Sequence, residues 1–384
     1  MKRYKLGEIC EIVSGSTPQT SIDEYWDGDL KWITPAELND ETFVINDSVR
    51  KITELGAKKT GLSPFPEGTV ILSSRAPIGK VALAGCEMYC NQGFKNLICS
   101  EKINNHYLYW FLKGKTAFLN SLGRGATFKE ISKKIVADIE INVPDLEQQL
   151  SVVEDIEKVS KIIQFRKREL QKLDDLVKAR FIEMFGDAIH NDKGWETDTV
   201  EKVCKEIYGG GTPSKSHPEY YKDGDIPWVS SKDMKTDVLT DSQIKINQLG
   251  VDNSTAHMVP VNSVIMVIRS GILKHTLPVA INMVPITVNQ DLKVFIPNER
   301  VLTRFLAVQF KMLEKDILSG VRAVTADNIE FNSLKQRELI VPPIDLQQEY
   351  VTFLERIDKS KAAVQRSLDK LQTLFDKLMQ EYFG

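Results

Sequence analysis

Two stretches of the chain carry apolar residues at alternating steps of three and four. In the first, Leu146, Leu150, Val153, Ile156, Val159 and Ile163 are followed, after a polar step at Arg166, by Leu170, Leu173 and Val177. The second runs Leu346, Tyr350, Phe353, Ile357, Val364, Leu368, Leu371, Phe375, Leu378 and Tyr382. A mean step near 3.5 residues is the spacing of a helix whose apolar stripe forms a coiled-coil seam. Pro144 and Pro343 stand just before these stretches and neither stretch contains proline, so each predicts a helix of roughly 38 residues, roughly 55 Å long if fully helical. A seam that long is unstable against water and needs a partner. The equivalent helix of the same chain is the nearest candidate, and a helix of another protein is the alternative. The seam is expected to comprise Leu150, Val153, Ile163, Leu170, Leu173 and Val177 on one helix and Ile357, Val364, Leu368, Leu371, Phe375 and Leu378 on the other.

The remaining sequence reads as mixed α/β. Short apolar runs such as Thr69-Val70-Ile71-Leu72 and Val264-Ile265-Met266-Val267-Ile268, bounded by Pro and Gly, suit buried strands. His106 to Leu122 and Leu302 to Leu318 carry helical spacing. Gly15-Ser16-Thr17-Pro18 and Gly209-Gly210-Gly211-Thr212-Pro213 are turn chemistry; the triple glycine lacks the Gly-Lys-Ser/Thr ending of a phosphate loop.

The chain repeats itself in collinear order, at an offset of about 194 to 199 residues, which is a whole domain plus a helix rather than a solenoid unit. Gly28-Asp29-Leu30-Lys31-Trp32 matches Gly224-Asp225-Ile226-Pro227-Trp228, Arg75 matches Arg269, and Asn91-Gln92 with Lys95 matches Asn289-Gln290 with Lys293. Ala126-Thr127 sits opposite Val324-Thr325, Pro144 and Gln148-Gln149 match Pro343 and Gln347-Gln348, and Met184-Phe185-Gly186 matches Tyr382-Phe383-Gly384. The expected architecture is two tandem α/β (α+β) domains at 1–144 and 187–343, separated by two long helices at 145–186 and 344–384. An antiparallel pairing of those helices would relate the domains by an approximate twofold and turn the helices into a ruler, as a reader of a two-part site of fixed spacing requires.

Composition narrows the chemistry. The net charge of −3 argues against nucleic acid as an average, but Lys113, Lys115, Arg124, Lys129, Lys133 and Lys134 cluster around a single acid, Glu130. Five unevenly spread cysteines fit a reducing cytosol, with Cys86 and Cys90 as small core residues and no metal expected. No apolar run is long enough for a membrane span, no signal-peptide core follows the basic start, and a cytoplasmic protein is expected. The histidines are scattered without metal or triad spacing, and neither an Asn/Asp-Pro-Pro-Tyr/Phe loop nor an ATP-binding loop is present. No catalysis by this chain alone is expected.

The series Gly-x-Thr-Pro, Gly-Asp-x-x-Trp, strand-Arg, Asn-Gln, Pro-x-x-x-Gln-Gln and a long helix ending in Phe-Gly, present twice over essentially the whole chain, resembles the specificity subunits of type I restriction–modification enzymes. The resemblance implies two target-recognition domains, each reading one half of a split double-stranded DNA target across a spacer of unspecified sequence. It implies two methyltransferase subunits docked on the helices, with S-adenosylmethionine as their cofactor, and allows a restriction subunit using ATP and magnesium; this chain itself would hold no cofactor. A tandem protein-interaction scaffold is the competing reading, separable by salt-dependent DNA binding. For DNA contact the expected donors are Thr17, Arg75, Lys80, Gln92, Arg124, Thr127 and Lys129 in the first domain. Thr212, Arg269, Ser270, Lys274, Gln290, Arg322 and Thr325 are their counterparts in the second. Arginine reads guanine and Gln or Asn reads adenine through paired hydrogen bonds, although Arg75 and Arg269 could equally hold a loop, and glutamines shared by domains with different targets suit scaffold or phosphate roles. Trp32 and Trp228 are expected in the core rather than stacked on bases.

Overall fold

The computed structural model describes residues 1–39, 41–124, 129–320, 322–323 and 327–384. The chain divides into two compact units, Met1–Lys167 with Arg366–Gly384, and Arg168–Gln365.

The first unit begins with β1 (Lys2–Lys5), α1 (Leu6–Ile9), β2 (Cys10–Val13), β3 (Trp26–Ile33), β4 (Val44–Ile45), β5 (Arg50–Ile52) and α2 (Glu54–Thr60). It continues through β6 (Val70–Leu72), β7 (Val81–Ala84), β8 (Tyr89–Cys90), β9 (Asn96–Cys99), α3 (Asn105–Gly114), α4 (Thr116–Leu122), α5 (Lys133–Ala137) and β10 (Glu140–Val143). Five strands form one sheet in the order β2-β9-β6-β7-β4, three form another, β5-β3-β8, and β1 pairs with β10. Strands β6 and β7 are buried at every position and β9 adds the fully buried Leu97, as a sheet centre covered on both faces requires. Helix α3 covers it with an unbroken buried run, Tyr107 to Leu112, and is started by Asn104, whose side chain accepts from the N–H groups of His106 and Tyr107. The single helix expected over 106–122 is in fact two: the break at Lys115 turns Leu119, fully buried, back into the core.

After the first long helix, α6 (Leu146–Phe185), the second unit repeats the plan. Its elements are β11 (Thr197–Thr199), α7 (Val200–Val203), β12 (Cys204–Gly209), β13 (Ile226–Val229), β14 (Val238–Leu239), β15 (Lys245–Ile246), α8 (Gln248–Asp252) and β16 (Val264–Val267). Then follow β17 (Val279–Asn282), β18 (Thr287–Val288), β19 (Leu292–Pro297), α9 (Thr303–Met312), α10 (Glu314–Ser319), β20 (Arg322–Ala323), β21 (Asp327–Asn328), α11 (Phe331–Lys335) and β22 (Glu338–Ile340). The sheet orders β12-β19-β16-β17-β14 and β15-β13-β18 reproduce those of the first unit, including the parallel pairs β14 with β17 and β13 with β18. Tandem domains of mixed sheet and helix are therefore the observed fold.

The two long helices are α6 (Leu146–Phe185) and α12 (Ile344–Phe383), each of 40 residues. In the second unit they run antiparallel: Glu349 of α12 meets Arg180 of α6, while Lys361, further along α12, meets Asp174, earlier on α6. Tyr350 seals this pairing, buried to zero exposure with its hydroxyl on the Val177 carbonyl at 3.0 Å. Phe181 and Phe185 of α6 enter the core of the second domain beside Phe305. In the first unit, Val153 and Ile156 of α6 and Phe383 of α12 enter the core with Tyr107 and Phe111.

Of the expected seam, Val153, Ile163, Ile357 and Val364 are buried and Leu170, Leu173, Val177, Leu368, Leu371, Phe375 and Leu378 are half-buried. Leu150 departs from it, being 54% exposed. The inward place belongs to Gln149, which is fully buried; its amide nitrogen donates to the carbonyls of Pro144 and Lys102 and its oxygen accepts from Asn104 N–H. Gln347 makes the same three bonds, to Pro342, Arg300 and the Leu302 N–H. The structural equivalence is thus Pro144 with Pro342 and Gln149 with Gln347, one residue off the alignment that sequence suggests. A helix entry must satisfy its own loose backbone groups, and here a glutamine does so for the preceding loop. Gln149→Ala is expected to cost about 1–3 kcal/mol in a denaturant melt by stranding the buried Pro144 carbonyl and two part-buried backbone groups, whereas Leu150→Ala is expected to cost less than about 0.5 kcal/mol.

Candidate nucleic-acid interface

Among the described residues, backbone hydrogen bonds tie the segments that carry the expected DNA-facing positions into one strip beyond the strand ends of each domain. In the first, Ser16 N–H donates to the Cys90 carbonyl, Ser74 N–H to Gly93, and Ile131 N–H to Ser74. In the second, Gly211 N–H donates to Val288, Ile268 N–H to Asp291, and Ile329 N–H to Ile268. These bonds join the glycine turn, the segment after the third sheet strand, the Asn-Gln turn and the segment before the last short helix.

The glycine turn is held by close approach rather than by a phosphate-binding shape. A Cβ at Gly15 would lie 1.8 Å from the Cys90 carbonyl oxygen, and one at Gly210 would lie 1.8 Å from that of Val288. Gly211 is a further close approach, to Thr255. Trp32 and Trp228 are buried at 3% and 7% exposure and donate from their indole nitrogens to the Ser16 and Gly211 carbonyls. They pin the turn from inside. Next in the turn, the Thr17 hydroxyl donates to the Gln92 side-chain oxygen at 2.6 Å, and Thr212 makes the same bond to Gln290. The recurring glutamines therefore have a positioning contact, with their amide nitrogens not used by it.

The two arginines are also held. Arg75 Nε donates to Glu130 Oε2 at 2.8 Å, and buried Lys95 approaches the other oxygen of the same carboxylate at 3.3 Å. Burial raises the Glu130 pKa, but the hydrogen bonds from Arg75 and Lys95 outweigh it and hold the carboxyl below its ordinary value. Arg269 Nε donates to Asp291 Oδ1 at 2.7 Å, and Asn289 fixes the other oxygen at 3.0 Å. Both guanidinium groups stay partly open, with side chains 43% and 47% exposed.

The other expected donors divide. Lys80 is half-buried and its ammonium donates one hydrogen to the Leu38 carbonyl, which leaves two of its three donors outside that bond. Ser270 caps the short turn Gly271–Lys274, and Lys274 lies 3.8 Å from Asp327 with its side chain 63% exposed. Arg124 is exposed and its backbone exchanges both hydrogen bonds with Glu130; Lys129 is exposed beside it. Thr127, Thr325 and the side chain of Arg322 fall outside the described residues. Cys90 is buried and Cys86 packs against the same cluster. Among the described residues no group of His, Cys, Asp and Glu is placed to hold a metal, and no helix is long and apolar enough to cross a membrane.

Sequence reasoning passed over the acids. Glu130 is visible in the sequence as the one acid of a basic run, but its pairing with Arg75, and that of Asp291 with Arg269, is a tertiary fact.

Known proteins share this construction. The sequence model of the type I restriction modification DNA specificity domain matches residues 1–175 and 192–373. The MjaIX specificity subunit of Methanocaldococcus jannaschii, a type I restriction enzyme subunit, is 28% identical over 98% of this chain and 90% of its own length. The EcoR124I/EcoR124II specificity subunit of Escherichia coli is 34% identical over 49% of this chain and 48% of its own. Among solved structures, the S subunit of the type I restriction-modification system from M. genitalium aligns over all of this chain and 96% of its own with a TM-score of 0.59 at 13% identity. A chain from work on complex assembly and conformational transition of the type I R-M system aligns over all of this chain and 97% of its own, with a TM-score of 0.59 at 17% identity. With both domains matched and the whole repeat covered, this chain belongs to the family of type I restriction–modification DNA specificity subunits.

Proposed function

We propose that the chain reads a bipartite double-stranded DNA target, one half per domain, with the domains at 1–144 and 187–343 and the helices at 145–186 and 344–384 setting the spacer between the halves. The observation that carries this is the duplicated strip: the same turn, the same Thr–Gln bond and an acid-held arginine in both domains, over different neighbouring residues. Thr17, Arg75, Lys80, Gln92, Arg124, Thr127 and Lys129 face one half-site, and Thr212, Arg269, Ser270, Lys274, Gln290, Arg322 and Thr325 face the other. Phosphate contacts set the register and base contacts the sequence. The chain recruits two methyltransferase subunits, whose S-adenosylmethionine methylates adenine, and restriction subunits driven by ATP and magnesium join the same assembly. It works in the cytoplasm, where its DNA is. The near-neutral charge fits a reader that shares phosphate contacts with partners enclosing the DNA.

Co-expression with a cognate methyltransferase in a methylation-free host, followed by mapping of methylated adenines, tests the reading. A split motif with a fixed unspecified spacer is the expected result. Unmodified DNA from a well-formed complex would overturn it and favour a protein scaffold.

A further inference from the structure

The two domains hold their matched arginines with acids from different places. Arg75 and Arg269 occupy the same position, each bridging to the strand segment before the last short helix, at Glu130 in one domain and Asn328 in the other. Glu130 and Asn328 are therefore structural counterparts, and in the second domain that site carries no charge. Gly93 and Asp291 are counterparts as well, since their carbonyls accept from Ser74 and Ile268. In the first domain, an acid at 93 would be crowded: a Cβ there would lie 2.9 Å from Pro35 Cγ and 3.0 Å from Asn91 Oδ1, so a neighbour would have to shift. The carboxylate thus stands at 130 in one copy and at 291 in the other, and in both it meets an arginine Nε.

A neighbouring lysine separates two explanations. Lys95 and Lys293 are also counterparts. Were the acid present to neutralise a buried ammonium, it would stay with the lysine. Lys95 does share Glu130. Lys293 instead sits over the Phe331 ring at 4.5 Å and has no carboxylate partner among the described residues, and burial lowers its pKa. When the acid changes place between copies, it follows the arginine and leaves the lysine.

In the second domain the same Asp291 oxygen also lies 2.6 Å from Arg269 NH2, so the acid sits on the Nε–NH2 side; a carboxylate there fixes the guanidinium plane and leaves the outer hydrogens of NH1 and NH2, which can bond a guanine O6/N7 pair. Exposure of 43% and 47% leaves that edge reachable. Building on the reading above, we propose that Glu130 and Asp291 are positioning residues that aim Arg75 and Arg269 at one guanine in each half-site, and that these arginines are specificity determinants rather than loop clamps.

The test uses the full chain with its methyltransferase partner and maps methylated adenines genome-wide for wild type, R75A, R75K, E130Q, R269A and D291N, with thermal melts of each complex. A wild type without a split motif would defeat the function proposed above, before any variant is considered. Given a wild-type motif, R75A, R75K and E130Q are expected to relax one and the same G·C pair in one half-site, by about 5- to 150-fold in selectivity. R269A and D291N should do so in the other half-site only. Lysine keeps the charge but not the fork, so R75K separates aiming from electrostatics. E130Q and D291N preserve shape, and complexes that melt as wild type yet keep every motif position as selective as before would overturn the proposal. A uniform fall in methylation with an unchanged motif, accompanied by a lower melting temperature, would likewise overturn it in favour of loop clamps.

Discussion

Phe383→Ala is expected to destabilise the first unit by about 3–5 kcal/mol, the usual cost of emptying a buried phenylalanine site. The ring is 7% exposed and meets Tyr107 at 5.1 Å and Phe111 at 6.0 Å, edge to face. It is the last apolar residue of α12, yet it packs in the core of the first domain rather than on a helix surface. Denaturant unfolding read by Trp26, Trp32 and Trp110 should show the loss, while Trp195 and Trp228 report a second unit little changed. Phe185→Ala should reverse that pattern, because Phe185 fills the matching place against Phe305 and Tyr350. Equal loss in both units from either variant would contradict the assignment of each ring to its own core.

Gly15→Ala and Gly210→Ala are expected to disrupt recognition of one half-site each. The added methyl would stand 1.8 Å from a strand carbonyl oxygen, a distance that no side-chain rotation relieves. The turn must move away from its strand, breaking the anchoring bond from Ser16 to Cys90 or from Gly211 to Val288. Overpacking of this kind costs about 1–3 kcal/mol, and the displaced turn carries Thr17 or Thr212 off its glutamine. Methylation mapping should show the motif degrading in the half assigned to the altered domain. Gly271→Ala is the control: nothing lies within 4 Å of its would-be Cβ, so the change should be neutral or stabilising by up to about 1 kcal/mol.

These sites show where the sequence is informative. The period of Tyr350, Ile357 and Val364 marks α12 because a helix buried along one stripe repeats its own geometry in the chain. Collinear duplication likewise reveals paired domains without any knowledge of their folding. Leu150 shows the limit: at a helix entry the inward position is decided by which backbone groups need partners, and the polar Gln149 wins over the aliphatic beside it. The triple glycine reads as a turn, but why Gly210 must be glycine depends on a strand some 80 residues away. Glu130 and Asp291 lie furthest from sequence legibility. Each is an ordinary acid until the fold brings an arginine to it, and because they occupy different positions, aligning the two halves of the chain hides what they share.

The composition of the first unit bears on how the chain is made. Arg168–Gln365 is continuous in sequence and can fold as soon as it is synthesised. Met1–Lys167 emerges earlier but receives Arg366–Gly384 only after all of those residues. At about 5–20 residues per second, the earlier segment waits on the order of 10–40 s with the Tyr107 and Phe111 faces uncovered. The half that leaves the ribosome first is thus the half finished last, and during synthesis it is the one that most needs a chaperone's shelter.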